Sequence, residues 1–301
     1  MGTPNFAVAS LQKIVESGGN VVAVITAPDK PAGRGMKLQQ SAVKEYALAK
    51  NLHILQPEKL RNKQFLQALK ALNADIQVVV AFRMLPEVVW KMPSIGTLNV
   101  HGSLLPQYRG AAPINRAVMN GETATGVTTF LLKQEIDTGD ILLQRKIMIG
   151  ADENAGSLYD RMKIEGAELL IETLAALAKN NLTPQPQNIP ESEVKHAPKI
   201  FTEDCKIDAN APAKTVNNLI RGLSPYPGAF TFLDGKKLKI FEASVGEEAN
   251  NAAPGTFQSD NKTFLKMACR DKWLHIANLQ LEGKKRMSVA DFLRGYKLSQ
   301  A

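Results

Sequence analysis

Over its first hundred residues the chain alternates short apolar runs with segments of helical spacing, and this alternation limits the fold more than any other feature. The runs at 21–26, 53–55, 75–82 and 96–101 are brief and rich in Val, Ile and Leu, like strands buried on both faces. Residues 6–15, 41–51 and 60–72 carry apolar side chains three to four apart, the spacing of helices with one buried face. Strands joined by helices of this length predict an α/β architecture, a doubly wound and mostly parallel (Rossmann-like) sheet. In such sheets ligands bind outside the carboxyl ends of the strands.

One strand end carries candidate chemistry. Alternation along 96–101 puts Asn99 and His101 on the same face. Gly102 breaks the strand and Pro106 bars an immediate helix, so the pair stands at the carboxyl mouth. An amide and an imidazole there can donate two hydrogen bonds to a developing oxyanion. A nearby carboxylate would orient the imidazole and favour its charged form. Residues 126–132 and 141–147 read as a hairpin whose turn exposes Glu135, Asp137 and Asp140. Spacing alone does not choose among the three.

The run Asn99-Val100-His101-Gly102-Ser103-Leu104-Leu105-Pro106, followed by Tyr108-Arg109-Gly110-Ala111-Ala112-Pro113, resembles the signature of the 10-formyltetrahydrofolate-dependent formyltransferases. Ile136-Asp137-Thr138-Gly139 is similar to the same family's downstream aspartate loop. The resemblance implies that Asn99, His101 and Asp137 form the catalytic group. It also implies that Ser103, Leu104, Leu105 and Pro106, with Phe82, Met84 and Leu85, line the pocket for 10-formyltetrahydrofolate as co-substrate. No metal is implied. Gly2-Thr3-Pro4-Asn5-Phe6-Ala7 and Pro28-Asp29-Lys30-Pro31-Ala32-Gly33-Arg34-Gly35 resemble segments of the branch that formylates initiator methionyl-tRNA for translation initiation. In that branch the loop is implied to enter the end of the acceptor stem, with Arg34 probing the first base pair. Lys30, Arg34 and Lys37 between glycines also suit close approach to phosphate. Members of the family begin with a β-strand ahead of the Gly-Thr-Pro turn, whereas here Met1 immediately precedes Gly2. The first strand is therefore expected to be missing, and the chain to be a truncated version.

With 301 residues and 44% apolar content, the chain can bury a sizeable core and make two domains. The expected division is a formyltransferase domain over 1–180, a Pro- and Asn-rich linker over 181–204, and a C-terminal tRNA-binding domain over 205–301. A helix is expected over 157–177, with Leu158, Met162, Leu169 and Leu174 in the core. Loop 28–37, rich in Gly and Pro, is expected to lack regular structure. In the last domain a helix at 213–223 precedes short strands at 229–232, 238–244, 264–268 and 273–276, the spacing of a small β-barrel. The family carries an OB-like barrel there, and Ser224-Pro225-Tyr226-Pro227 and Lys284-Lys285-Arg286-Met287-Ser288 resemble it in the methionyl-tRNA branch. From Lys195 onward there are 17 basic and 11 acidic residues, against 20 and 18 before it, so most of the net charge of +8 sits at the C-terminal end. A basic appendage of this kind suits a polyanion, with Lys284, Lys285 and Arg286 as phosphate contacts. Cys205 and Cys269 lack metal-ligand spacing and read as free cytosolic thiols. No apolar run is long enough to span a membrane and no basic-then-apolar leader precedes the first motif, so a cytoplasmic protein is expected; a monomer is expected as well. Two other readings stand beside this one: a formyltransferase acting on a sugar nucleotide, and a basic RNA-binding module with a degenerate formyltransferase domain.

Overall fold

Where the sequence alternates apolar runs with helices, the computed structural model pairs the runs in parallel. It describes residues 1–32 and 37–298, divided into two units. The first comprises Met1–Gly110, Thr125–Ile147 and Tyr159–His196; the second comprises Ala111–Ala124, Met148–Leu158 and the residues from 197 onward.

The first unit begins with α1 (Asn5–Glu16), β1 (Val24–Ile25), β2 (Lys30–Ala32), β3 (Lys37–Gln39), α2 (Ala42–Ala49), β4 (Ile54–Leu55) and α3 (Lys63–Ala71). It continues with β5 (Ile76–Val79), α4 (Glu87–Trp90), β6 (Gly96–His101) and β7 (Arg109–Gly110). After α5 (Pro113–Met119), which lies in the second unit, come β8 (Ala124–Leu131), β9 (Ile141–Met148) and α6 (Ala155–Ala178). Strand β1 runs parallel to β4, and β5 runs parallel to β6; β8 pairs antiparallel with β6, and β9 lies beyond it. Met1 and Gly2 occupy the place between β1 and β5. Gly2 N donates to Ile25 O at 3.1 Å, and Val80 N donates to Met1 O at 2.9 Å. A Cβ on residue 2 would meet Ala7 Cβ at 2.4 Å and Val80 O at 2.9 Å, so this crossing requires glycine. Ile25, Phe65, Leu69, Val79, Leu85 and Val89 form one core cluster of the unit. On β6, Leu98 and Val100 are buried on the face opposite Asn99 and His101.

The loop at 28–37 does contain regular structure, contrary to the expectation from its Gly and Pro content. Strands β2 and β3 pair antiparallel, with Lys30 opposite Gln39 and Pro31 opposite Leu38. A two-stranded ladder has a free edge on each strand, where proline's missing N–H costs nothing. Arg34, an expected tRNA contact, lies outside the described residues; Lys37 begins β3.

The second unit follows β10 (His196–Ala197), and α7 (Ala213–Leu223) is its central helix. Its sheet is formed by β11 (Ala229–Leu233), β12 (Lys236–Ala249), β13 (Phe257–Ser259), β14 (Leu265–Ala268), β15 (Lys272–Leu281) and β16 (Met287–Ser288), and α8 (Val289–Gly295) closes the order. The sheet is antiparallel in the order β11-β12-β15-β14-β13, with β16 on β15. Register breaks along β12 between Ile240 and Glu242, between Glu242 and Ala243, and between Val245 and Ala249 let this long strand curl. Val216, Ile220 and Leu223 of α7 share a core with Leu238, Ile240, Leu265 and Leu274 of the sheet. Helix α5 packs on the same helix: a Cβ at Gly222 would lie 2.4 Å from Met119 Cγ, and Asn115 Nδ2 donates to Gly222 O at 2.7 Å.

Candidate active site

Strand β6 stops at His101 and delivers its imidazole into a nearly closed environment, 6% exposed. The chain then turns back so that the Tyr108 carbonyl lies 2.9 Å from His101 Nε2. A carbonyl can only accept, so Nε2 carries the proton of this bond and Nδ1 is left to face the other way. Asp137 Oδ2 lies 3.7 Å from Nδ1, within ion-pair range but longer than a hydrogen bond. The Phe130 ring stands edge-on to the imidazole at 6.5 Å and 82° and supplies an apolar wall.

The turn between β8 and β9 decides which acid meets the histidine. Asp137 has a left-handed backbone, with φ 55°, and its Oδ2 accepts from Gly110 N at 2.9 Å. Asp140 is turned to Lys133 Nζ at 2.7 Å, and Glu135 is exposed. Gly139 packs against the end of β8 so closely that a Cβ would sit 1.6 Å from Leu131 O. Among the three carboxylates that spacing left open, the fold brings Asp137 to His101.

Asn99, two residues before His101 on the same face, keeps its Oδ1 buried with no hydrogen-bond partner among the described residues. A buried amide oxygen without a donor costs about 1–3 kcal/mol. Such unmet groups are uncommon, and catalytic roles are among the reasons proteins keep them. The site therefore holds a polar acceptor, an imidazole with one committed nitrogen, and a carboxylate anchored by a backbone N–H.

The segment from Ser103 to Pro106 is held by Thr128, whose Oγ1 donates to Ser103 O at 2.6 Å and accepts from Leu105 N at 3.1 Å. Gln144 Nε2 donates to Leu105 O at 2.8 Å. Ser103 and Leu105 are buried, Leu104 and Pro106 half-buried, and the Ser103 hydroxyl donates to Gln107 O. Leu85 belongs to the core, Phe82 is half-buried and Met84 is 72% exposed. Phe82 lines a cleft of about 480 Å³ whose walls include Thr3, Lys30 and Arg83 but none of Asn99, His101 and Asp137.

A further side chain, Gln187, reaches the site without any signal in the sequence, and Glu191 meets its neighbour Arg109. The Pro- and Asn-rich segment is also an ordered strap on the first unit, where Gln185 exchanges two backbone hydrogen bonds of 2.8 Å with Ile141. Gln187 Nε2 donates to Asp137 O at 2.9 Å and to Gly139 O at 2.7 Å. A glutamine between Pro186 and Asn188 carries no local mark of such a contact.

In the second unit, Lys284, Lys285 and Arg286 are exposed in the turn between β15 and β16. The Arg286 guanidinium lies 4.5 Å over the Phe241 ring, and its Nε donates to Asn278 Oδ1 at 2.6 Å. Cys205 and Cys269 are free and buried, and burial pushes the Cys269 thiol up to about 11. No helix among the described residues is long and apolar enough to cross a membrane.

Comparison with known proteins matches residues 1–174 to the family described as Formyl transferase and residues 199–297 to Formyl transferase, C-terminal domain. The chain is 51% identical to the methionyl-tRNA formyltransferase of Bacteroides fragilis, across 100% of this chain and 95% of that protein. It is 52% identical to the methionyl-tRNA formyltransferase of Flavobacterium johnsoniae, across 99% and 96%. Among solved structures, an N-formyltransferase from Helicobacter canadensis in complex with folinic acid and dTDP-3-aminofucose aligns with a TM-score of 0.66. That alignment covers 93% of this chain and 97% of that one at 21% identity, a likeness of fold.

Proposed function

The chain belongs to the formyl transferase family, and from that premise we propose that it transfers the formyl group of 10-formyltetrahydrofolate to the α-amino group of initiator methionyl-tRNA. The observation that carries the reading is full-length identity of about half to proteins of that name, joined to the meeting of His101 and Asp137 beside Asn99. An α-amino group titrates at roughly 7.7–8.0, so a good fraction is neutral and nucleophilic near neutrality. No covalent enzyme intermediate is needed.

In this reading the amine lone pair attacks the formyl carbon and the carbonyl electrons move to oxygen. Asn99 Nδ2 and His101 Nδ1 donate to that oxygen, since Nε2 is engaged by the Tyr108 carbonyl. Asp137, opposite Nδ1, takes part in moving the proton lost by the amine, by way of water if needed. Collapse breaks the bond from the formyl carbon to the folate nitrogen, which takes a proton as it leaves. Ser103, Leu104, Leu105 and Pro106, with Phe82, Met84 and Leu85, shape the folate side of the site. Residues 205–301 are the tRNA-binding domain, an OB-like barrel, with Lys284, Lys285 and Arg286 on phosphates, while Arg34 and Lys37 serve at the acceptor end. The protein acts in the cytoplasm as a monomer.

The test supplies purified protein and formyl donor with either methionyl-tRNA or a UDP-amino-sugar. Formylation of the tRNA alone is the expected outcome. Formylation of the sugar alone would replace the reading, and no turnover with either would leave an RNA-binding module.

A further inference from the structure

We propose that Gln187 is a positioning residue for formyl transfer, the side chain that holds the Asp137 turn against His101; the inference rests on the reading above. Its amide is fully used. Both Nε2 protons go to carbonyls of the Asp137 turn, Asp137 O at 2.9 Å and Gly139 O at 2.7 Å. Its Oε1 accepts from Arg109 Nε at 3.1 Å and from Arg109 Nη2 at 2.8 Å. Arg109 in turn reaches Glu191 Oε2 through Nη1 at 3.3 Å.

These bonds join the two arms of the site. Arg109 stands between Tyr108, whose carbonyl engages His101 Nε2, and Gly110, whose N–H holds Asp137 Oδ2. Gln187 therefore ties the segment that fixes the imidazole to the turn that carries the carboxylate. The turn needs outside support, because Asp137 adopts a positive φ of 55°, a conformation unfavourable for most L-residues. Gln185, paired both ways with Ile141, sets the register of the strap so that Gln187 arrives beside the turn. The donor and acceptor demands select the side chain. A glutamate at 187 would keep the acceptor for Arg109 but lose both donors, and a leucine would lose both functions.

The test is a double-mutant cycle on methionyl-tRNA formylation, with kcat and KM measured for both substrates and folding followed by circular dichroism. Gln187→Leu is expected to lower kcat about 10- to 100-fold, as a misplacement of about 1 Å in a reacting group does, with both KM values within about threefold of wild type. Gln187→Glu is expected to lower kcat as well, because it spares only the bonds to Arg109. In an Asp137→Asn background, Gln187→Leu should have little further effect on kcat, since its influence runs through Asp137. A purely structural role would instead lower kcat by the same factor in both backgrounds, and that result would overturn the proposal. So would wild-type kcat in Gln187→Leu and Gln187→Glu. If Gln187→Leu does not fold, the near-isosteric Gln187→Glu takes its place in the cycle with the same two outcomes. An inactive wild-type protein would sink the formyl-transfer reading itself, whereas an active one with an additive cycle would sink Gln187 alone.

Discussion

A single backbone carbonyl sets the orientation of the histidine. Because Tyr108 O occupies Nε2, the nitrogen facing Asp137 is the one that the proposed mechanism leaves for a reacting oxygen. The 3.7 Å separation from Asp137 Oδ2 leaves Nδ1 uncommitted by a short bond, while Gly110 N keeps the carboxylate in place. Asp137→Asn keeps an oxygen that can accept from Gly110 but removes the charge opposite the imidazole. It is expected to retain folate binding in an equilibrium titration and to lower kcat by about 10²–10⁴-fold, the usual contribution of an acid–base group. Near-normal turnover would take Asp137 out of the mechanism and return Glu135 or Asp140 to contention, although Asp140 would first have to leave Lys133.

Strands β1, β4 and β5 are shorter than the apolar runs that announce them, for a reason that belongs to pairing. The run at 21–26 becomes a strand only at Val24 and Ile25, because β4 offers Ile54 and Leu55 as partners and no more. Helices α2, α3 and α8 begin where a side chain meets their first N–H groups. Asn62 Oδ1 accepts from Gln64 N at 2.9 Å and Phe65 N at 3.2 Å, opening α3, whose Phe65 and Leu69 enter the core. Asn62→Ala leaves those donors to water and is expected to cost about 1 kcal/mol. A lowered chemical-denaturation midpoint with formylation kinetics unchanged at low denaturant checks it. An unchanged midpoint would mean that packing of Phe65 and Leu69 alone starts the helix.

At the scale of the molecule, the surplus of positive charge gathers toward the C-terminal end of the chain. The residues from Lys195 onward hold 17 of the 37 basic side chains, and Lys284, Lys285 and Arg286 stand exposed at one turn. Arg286 is stacked on Phe241 and bonded to Asn278, so its charge is held at a defined place rather than swept through solvent. Neutralising the three together is expected to weaken binding of all tRNAs alike. It should also flatten the dependence of log K on log salt by about 0.7–0.9 for each phosphate that is no longer neutralised. Binding titrations across salt concentrations read both quantities. A wild-type slope in the triple variant would remove these residues from the phosphate interface.

Local pattern was enough to read the α/β architecture of the first unit and to set Asn99 and His101 together at one strand end. Alternating apolar runs and helical spacing leave few ways to bury both faces of a sheet, and period two along β6 necessarily puts Asn99 and His101 on one face. Helix α7 was likewise legible to its ends, because its apolar side chains recur at helical spacing over Ala213–Leu223. Elements of two or three residues, such as β13 and β16, carry no period and emerge only from the partners that pair with them. The choice of Asp137 over Glu135 and Asp140 also lay beyond local pattern. It depends on the positive φ at Asp137, the close packing of Gly139 on Leu131, and the Gly110 N–H arriving from another loop. Gln187 is the extreme case, since an amide fifty residues from the turn that it holds acquires its role only when the strap is laid against that turn. Periodicity reports which face of an element is buried, but the partner of a polar group is set by long-range folding, which no local pattern encodes.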